Sequence, residues 1–148
     1  MPISLLSPSL LTAYALRLRP GDDLRQQLTT TVRALGMQAG AVLTCVGSLT
    51  TVVLRLANQD VATTYHGHFE IVSLVGTLAE SGSHLHLAVA DSTGRMIGGH
   101  LLDGNIIYTT AELVLGVLPA LVFRREPDVI SSYHELAIYP AGAAPEKP

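Results

Sequence analysis

The sequence predicts an α+β domain, a mostly antiparallel sheet with one main helix packed on it. Three observations carry this. Helical periodicity occurs in one window, as an apolar stripe at Leu24, Leu28, Val32 and Leu35. The chain after it is largely apolar and β-branched, cut by turn residues at strand-length intervals. The length of 148 residues suits a single domain, and such a chain buries a core without disulfide help.

Residues 12–19 alternate Tyr14, Leu16 and Leu18 with Ala15, Arg17 and Arg19, the period of a half-buried strand. Pro20-Gly21 turns the chain. Asp23 is placed to cap the helix, with Gln26 three residues on as the second half of a capping box, and Gly36 is placed to end it. Residues 41–46 and 51–57 are expected as two strands separated at Gly47-Ser48, with a turn at 58–60. Further strands are expected at 69–78, 84–91, 97–102, 106–110, 113–123 and 133–139, with 124–132 as a loop. The domain is expected to span 12–139. Residues 1–11 read as an N-terminal extension, and the proline- and alanine-rich 140–148 as a disordered tail.

Composition narrows the function classes. Apolar residues make up 48% of the chain and charged residues 14%, against about 25% charged in ordinary globular chains. A surface so short of charge is expected to be partly covered by another subunit. The formal net charge is −3, with Lys147 the single lysine. An acidic chain of this kind is a poor candidate for phosphate-driven nucleic-acid binding, although a local arginine patch stays open. Cys45 is the one cysteine, so no intrachain disulfide forms, in agreement with a reducing compartment. Residues 1–11 lack a basic segment and a clear cleavage site. The apolar run 113–123 is too short to span a bilayer and contains Pro119. The expectation is a cytoplasmic protein without a membrane anchor.

The chemically informative stretch is Gly82-Ser83-His84-Leu85-His86-Leu87-Ala88-Val89-Ala90-Asp91. Side chains alternate across a strand, so His84 and His86 share one face while Leu85, Leu87 and Val89 share the other. Asp91-Ser92-Thr93-Gly94-Arg95 has turn composition and would fold the strand back as a hairpin onto Ile97-Gly98-Gly99-His100-Leu101-Leu102. A hairpin centred near Thr93 sets residue 86 opposite residue 100, and opposed residues lie within about 5.5 Å on one face. Gly98 and Gly99 would leave room above them. Three imidazoles converging in this way can hold a divalent metal with positions left for water or substrate. The plainer reading is a polar strand face, since two histidines at i and i+2 often mean no more than that. A one-residue slip would also put His100 on the wrong face.

Other residues are weaker candidates. His66 and His68 share a strand-like spacing but read as a solvated strand start, and His134 beside Glu135 reads as a surface pair. Cys45 sits in an apolar strand and reads as core. Gly47-Ser48 could bind an anion, though a plain turn is commoner. Glu80 and Glu112 could serve as a metal ligand or general base, with exposed strand ends as the default. Ser81 and Ser83 have no base or orienting partner, so a serine-hydrolase triad is not supported.

Several of these motifs together resemble a known family. Gly67-His68-Phe69-Glu70-Ile71, Val46-Gly47-Ser48-Leu49, His84-Leu85-His86 and Gly98-Gly99-His100-Leu101-Leu102 are similar to segments of PPC-domain proteins, shared by plants and prokaryotes. The resemblance runs from about Tyr14 to about Tyr139. His68 stands where the plant pattern has arginine. The resemblance implies a strongly curved sheet, a homotrimer, and a metal, commonly zinc, held by His84, His86 and His100. Prokaryotic members carry a DNA-binding label; plant members bind DNA through a separate Arg-Gly-Arg-Pro hook that this sequence lacks. Three functions are then open: a metal-binding oligomeric module with a DNA-binding or regulatory role, a metal-dependent enzyme acting on a small molecule, or a scaffold whose histidines take metal incidentally.

Overall fold

The computed structural model describes residues 8–142. Its elements are β1 (Thr12–Leu18), α1 (Leu24–Ala34), β2 (Gly40–Arg55), β3 (Ala62–Leu78), β4 (His84–Ala90), β5 (Met96–Leu101), β6 (Ile106–Val117), β7 (Leu121–Pro127) and β8 (His134–Pro140). The expected α+β architecture is the one observed. Of the expected terminal segments, residues 1–7 and 143–148 lie outside the described residues, and Pro140 belongs to β8.

Helix α1 forms where the apolar stripe predicts it. Asp23 Oδ1 accepts hydrogen bonds from the backbone N–H groups of Arg25 and Gln26, satisfying donors that the first turn cannot pair internally. Asp23 Oδ2 accepts from the Gly104 N–H, which ties the helix start to the loop after β5. Leu24, Leu28 and Val32 are buried, and each such side chain stabilises the fold by about 1.5–3 kcal/mol. Leu35 lies at the exposed end of the stripe, and Gly36 comes next with a φ of +57°.

The main sheet runs β1-β6-β2-β3-β4-β5, antiparallel at every pairing. It also curls back on itself. Leu54 and Arg55 at the end of β2 pair with Leu101 and His100 of β5. This closes β2, β3, β4 and β5 into a small barrel. Inward residues Leu49, Val52, Leu54, Leu74, Leu87, Val89 and Leu101 form its core, continuous with the residues under α1. Asn105, fully buried, locks the closure. Its side chain accepts from the Val53 N–H and donates to the carbonyls of Val53 and Leu102.

Three expectations about strand boundaries are corrected. There is no turn at Gly47-Ser48, because β2 is continuous through it. Gly47 is instead a point of close approach, where a Cβ would collide with the Thr110 carbonyl on β6. The expected strand 113–123 is broken at residues 118–120, where Leu121 N–H donates to the Leu118 carbonyl. The expected loop 124–132 begins as strand β7, which pairs with β8 as a separate two-stranded sheet. That hairpin is fastened to the body by Phe123, whose N–H donates to the Gln38 carbonyl and whose own carbonyl accepts from Ser81 Oγ at 2.7 Å.

One glycine controls how β4 sits on β3. Gly76 has a φ of +146°, and a Cβ there would run into the backbone carbonyl of His84. Gly76→Ala is expected to cost about 2 kcal/mol or more, because the obstacle is backbone and cannot rotate away. Urea unfolding measures this. A midpoint equal to wild type would show that β4 does not depend on this close approach.

Candidate metal centre

The histidine cluster is built by two strands and one turn. Asp91 closes the turn between β4 and β5. Its Oδ1 accepts from the Thr93 N–H, the Thr93 hydroxyl and the Arg95 N–H. Gly94 supplies the left-handed residue, with a φ of +81°. The resulting register sets His86 opposite His100, the pairing that the turn composition predicts. On the other side of β4, His84 stands opposite Thr77 and His86 opposite Val75. Leu85, Leu87 and Val89 point into the barrel, so the histidines lie on its outer wall.

The three rings converge. His84 and His86 bring their Nε2 atoms to 3.1 Å. Ring centroids lie 4.9 Å apart for His84 and His86, 5.2 Å for His84 and His100, and 5.7 Å for His86 and His100. One nitrogen from each ring falls within a common span of 4.8 Å. Tetrahedral zinc with bonds of about 2.0–2.1 Å spaces its ligand nitrogens by about 3.3 Å, so the separation of the first two rings suits shared ligation. His100 Nδ1 is buried with no hydrogen-bond partner, and such an atom carries a desolvation cost that a bound cation would relieve. No fourth histidine, cysteine or carboxylate joins the group among the described residues.

The surroundings favour the neutral form of His84 and His100. Burial lowers the His100 pKa to about 4, helped by the positive charge of Arg55 and by the neighbouring histidines. The His84 pKa is also lowered, first by burial and then by Arg125 and His86, while Glu135 pulls it the other way. Neutral imidazole is the form that ligates a metal.

A cavity of about 520 Å³ opens over His84 and His100. Arg55, Asp60, Arg125 and Glu135 are the charged residues on its wall. Arg55 is the register partner of His100 across β2 and β5. Arg125, from β7, donates from Nη2 to Thr77 Oγ1 at 2.8 Å, and so stands beside His84. The sequence alone does not single out Arg55 or Arg125, and it presents Glu135 as half of a surface pair. Barrel closure and the β7–β8 hairpin bring all three to the histidines, and neither leaves a local sequence signal.

The remaining candidates fall elsewhere. His66 and His68 lie within β3 rather than at its start, and the His68 ring packs on Tyr108 at 4.5 Å. Cys45 is half-buried and its thiol is pushed up to about 12 by burial, which removes it as a nucleophile. Ser48 is buried and shares a hydrogen bond with Thr109, so it offers no anion-binding turn. Glu80 accepts from Gln38, and Glu112 sits in β6 between Arg17 and Val46. Ser81 is committed to the Phe123 carbonyl, whereas Ser83 lines the cavity.

Comparison with known proteins agrees with this architecture. Residues 6–119 match the family described as the Plants and Prokaryotes Conserved (PCC) domain. A protein of Synechococcus named bifunctional protein GlmU is 47% identical over 138 residues, covering 93% of this chain and 22% of that protein. AT-hook motif nuclear-localized protein 4 of Arabidopsis thaliana is 33% identical over 124 residues, covering 78% of this chain and 29% of its own length. The chain thus spans about a fifth of the GlmU relative and under a third of the plant one. A hypothetical protein from Salmonella has a solved structure with a TM-score of 0.90 at 47% identity, covering 91% of this chain and 98% of its own. A metal-containing protein from Archaeoglobus fulgidus shares the fold, with a TM-score of 0.78 at 20% identity over 91% of this chain and 99% of its own. No helix among the described residues is long and apolar enough to cross a membrane. With its sheet order, the one helix among the described residues and a family match over most of its length, the chain belongs to the Plants and Prokaryotes Conserved domain family.

Proposed function

We propose that this domain is a homo-oligomeric metal-binding module in which His84, His86 and His100 hold a divalent metal, zinc being the metal that the family resemblance implies. The observation that carries this is the convergence of three ring nitrogens within 4.8 Å, with His100 Nδ1 buried and unpartnered beside them. Structural zinc sites are usually closed by four protein ligands, whereas sites that bind or transform a ligand keep a position open. Three imidazoles under a cavity belong to the second kind. When bound, the metal would act as a Lewis acid toward a ligand in that cavity. The chain's own residues hold and orient the site and favour the neutral form of His84 and His100.

His86→Ala is expected to remove the metal while leaving the fold, since Leu85, Leu87 and Val89 supply the core of β4. His134→Ala is the control, and elemental analysis of protein purified without a histidine tag is the measurement. Equal metal content in wild type and His86→Ala would refute the site. Metal retention should also extend to unusually low pH. Protons compete with metal only as the rings protonate, and His100 resists protonation until about pH 4. Loading should therefore persist below the usual histidine value of 6.5, since His84 and His100 are both held below it. Complete release at pH 6.5 would contradict this.

The oligomer is the second part of the proposal. Leu43, Val46, Val72, Val75 and Tyr108 are exposed large apolar side chains on the sheet strands. Val75 stands directly opposite His86. The number of these side chains on the strands of one sheet is what supports an interface there. The family resemblance supports three copies. Light scattering at low micromolar concentration should give the mass of three 15.7 kDa chains, and a monomer mass would refute it.

A regulatory role near DNA is the reading that the name of the Arabidopsis relative favours. The net charge of −3 and the absence of an Arg-Gly-Arg-Pro segment weigh against direct contact by these residues. No sequence-specific gel shift is expected at physiological salt. A nanomolar, sequence-dependent complex there would reverse that ranking. Metal-dependent turnover of a small molecule is the other reading, favoured by the cavity over the histidines.

A further inference from the structure

The cavity over the histidines has a charge pattern that specifies its occupant. Arg55 and Arg125 stand on two sides of the cluster, one beside His100 and one beside His84. Neither is in an ion pair; among the described residues the ion pair formed is Arg25 with Asp103. Asp60 and Glu135 line the same cavity, so the four charged side chains sum to zero. Imidazole ligates a metal in its neutral form, so three ligating rings add no charge. A divalent cation held by them would leave the site with an excess of two positive charges.

We propose that the cavity takes a dianionic small molecule, a phosphate monoester or a dicarboxylate, with an oxyanion group facing the histidine centre and Arg55 and Arg125 on either side. The proposal rests on the metal-binding reading for the source of the excess charge. Three features support it. The cavity volume, about 520 Å³, falls within the roughly 300–1,000 Å³ of small-molecule sites. Guanidinium groups present a planar fork that matches carboxylate and phosphate oxygens, which an ammonium does not. Arg125 is also held in place before any ligand arrives, through its hydrogen bond to Thr77. A nucleic-acid strand would need an extended basic surface, whereas these arginines face a concave pocket bordered by carboxylates.

Isothermal titration of the zinc-loaded, assembled protein tests this, with inorganic phosphate in one arm and malonate in the other. Arg55→Gln and Arg125→Gln should keep wild-type metal content and weaken anion binding at least tenfold. Arg95→Gln, outside this cavity, should bind as wild type does. Arg125→Lys retains the charge without the fork and should give an intermediate loss, which covers the case in which Arg125→Gln does not fold. The tighter arm assigns phosphate or carboxylate chemistry. Wild-type metal content with no anion binding at millimolar concentration, or with equal binding in wild type and both glutamine variants, overturns the proposal and leaves the metal centre standing. Arginine-dependent anion binding by a wild-type protein that takes up no metal supports the arginine site and removes the metal centre. Absence of both overturns both.

Discussion

The structure depends on the register between β4 and β5. A strand has a period of two, so a slip by one residue exchanges its faces. Here both faces are committed. Leu101 is buried against Leu54 on the inside of the barrel, and His100, its neighbour in sequence, meets His86 on the outside. A slip of β5 would expose Leu101 while turning the His100 imidazole inward. The apolar burial that makes the barrel stable therefore also holds the histidines together. The turn at Asp91 and Gly94 selects this register locally, and the core enforces it.

Barrel closure adds what the hairpin alone lacks. Strand β5 reaches β2 only because Gly99 has no side chain, since a Cβ there would lie 2.7 Å from the Arg55 carbonyl. The two glycines before His100 thus serve backbone approach: Gly98 similarly lies close over the Leu87 carbonyl, where a Cβ would stand at 3.0 Å. From the sequence alone, their task is to leave space above the cluster. Closure puts Arg55 beside His100, and Asn105 holds the end of β2 by bonding to both backbone groups of Val53.

Local features of the fold are legible in the sequence and long-range ones are not. The helix can be read from its stripe and its Asp23 cap, and the histidine pairing from a turn of five residues. Gly47 is misread because a glycine between two β-branched runs has two physical uses, a turn or a close approach, and only the neighbouring strand β6 distinguishes them. The break after β6 is hidden because Leu118-Pro119-Ala120 is as apolar as the strands around it. Arg125 and Glu135 are invisible as site residues because they lie on a hairpin anchored through Phe123 to Gln38 and Ser81, contacts that no periodicity encodes. That hairpin also lies beyond the segment matching the family, which ends at residue 119. The histidines belong to the shared domain, and the β7–β8 hairpin C-terminal to it supplies part of their surroundings.

The electrostatics of the cluster bear on how such a site works. Arg55 and Arg125 help burial to keep protons off His100 and His84. The same positive field acts on any cation, so it opposes a metal ion while it frees the lone pairs that bind one. Glu135 offsets part of this at His84. An anion in the cavity would offset more, because it would neutralise the arginines and face the metal at once. Binding linkage is reciprocal. If the anion strengthens the metal, the metal strengthens the anion by the same factor. If His84, His86 and His100 hold a metal as proposed, the two flanking arginines would make that metal loosely held alone and firmly held in company with an anion.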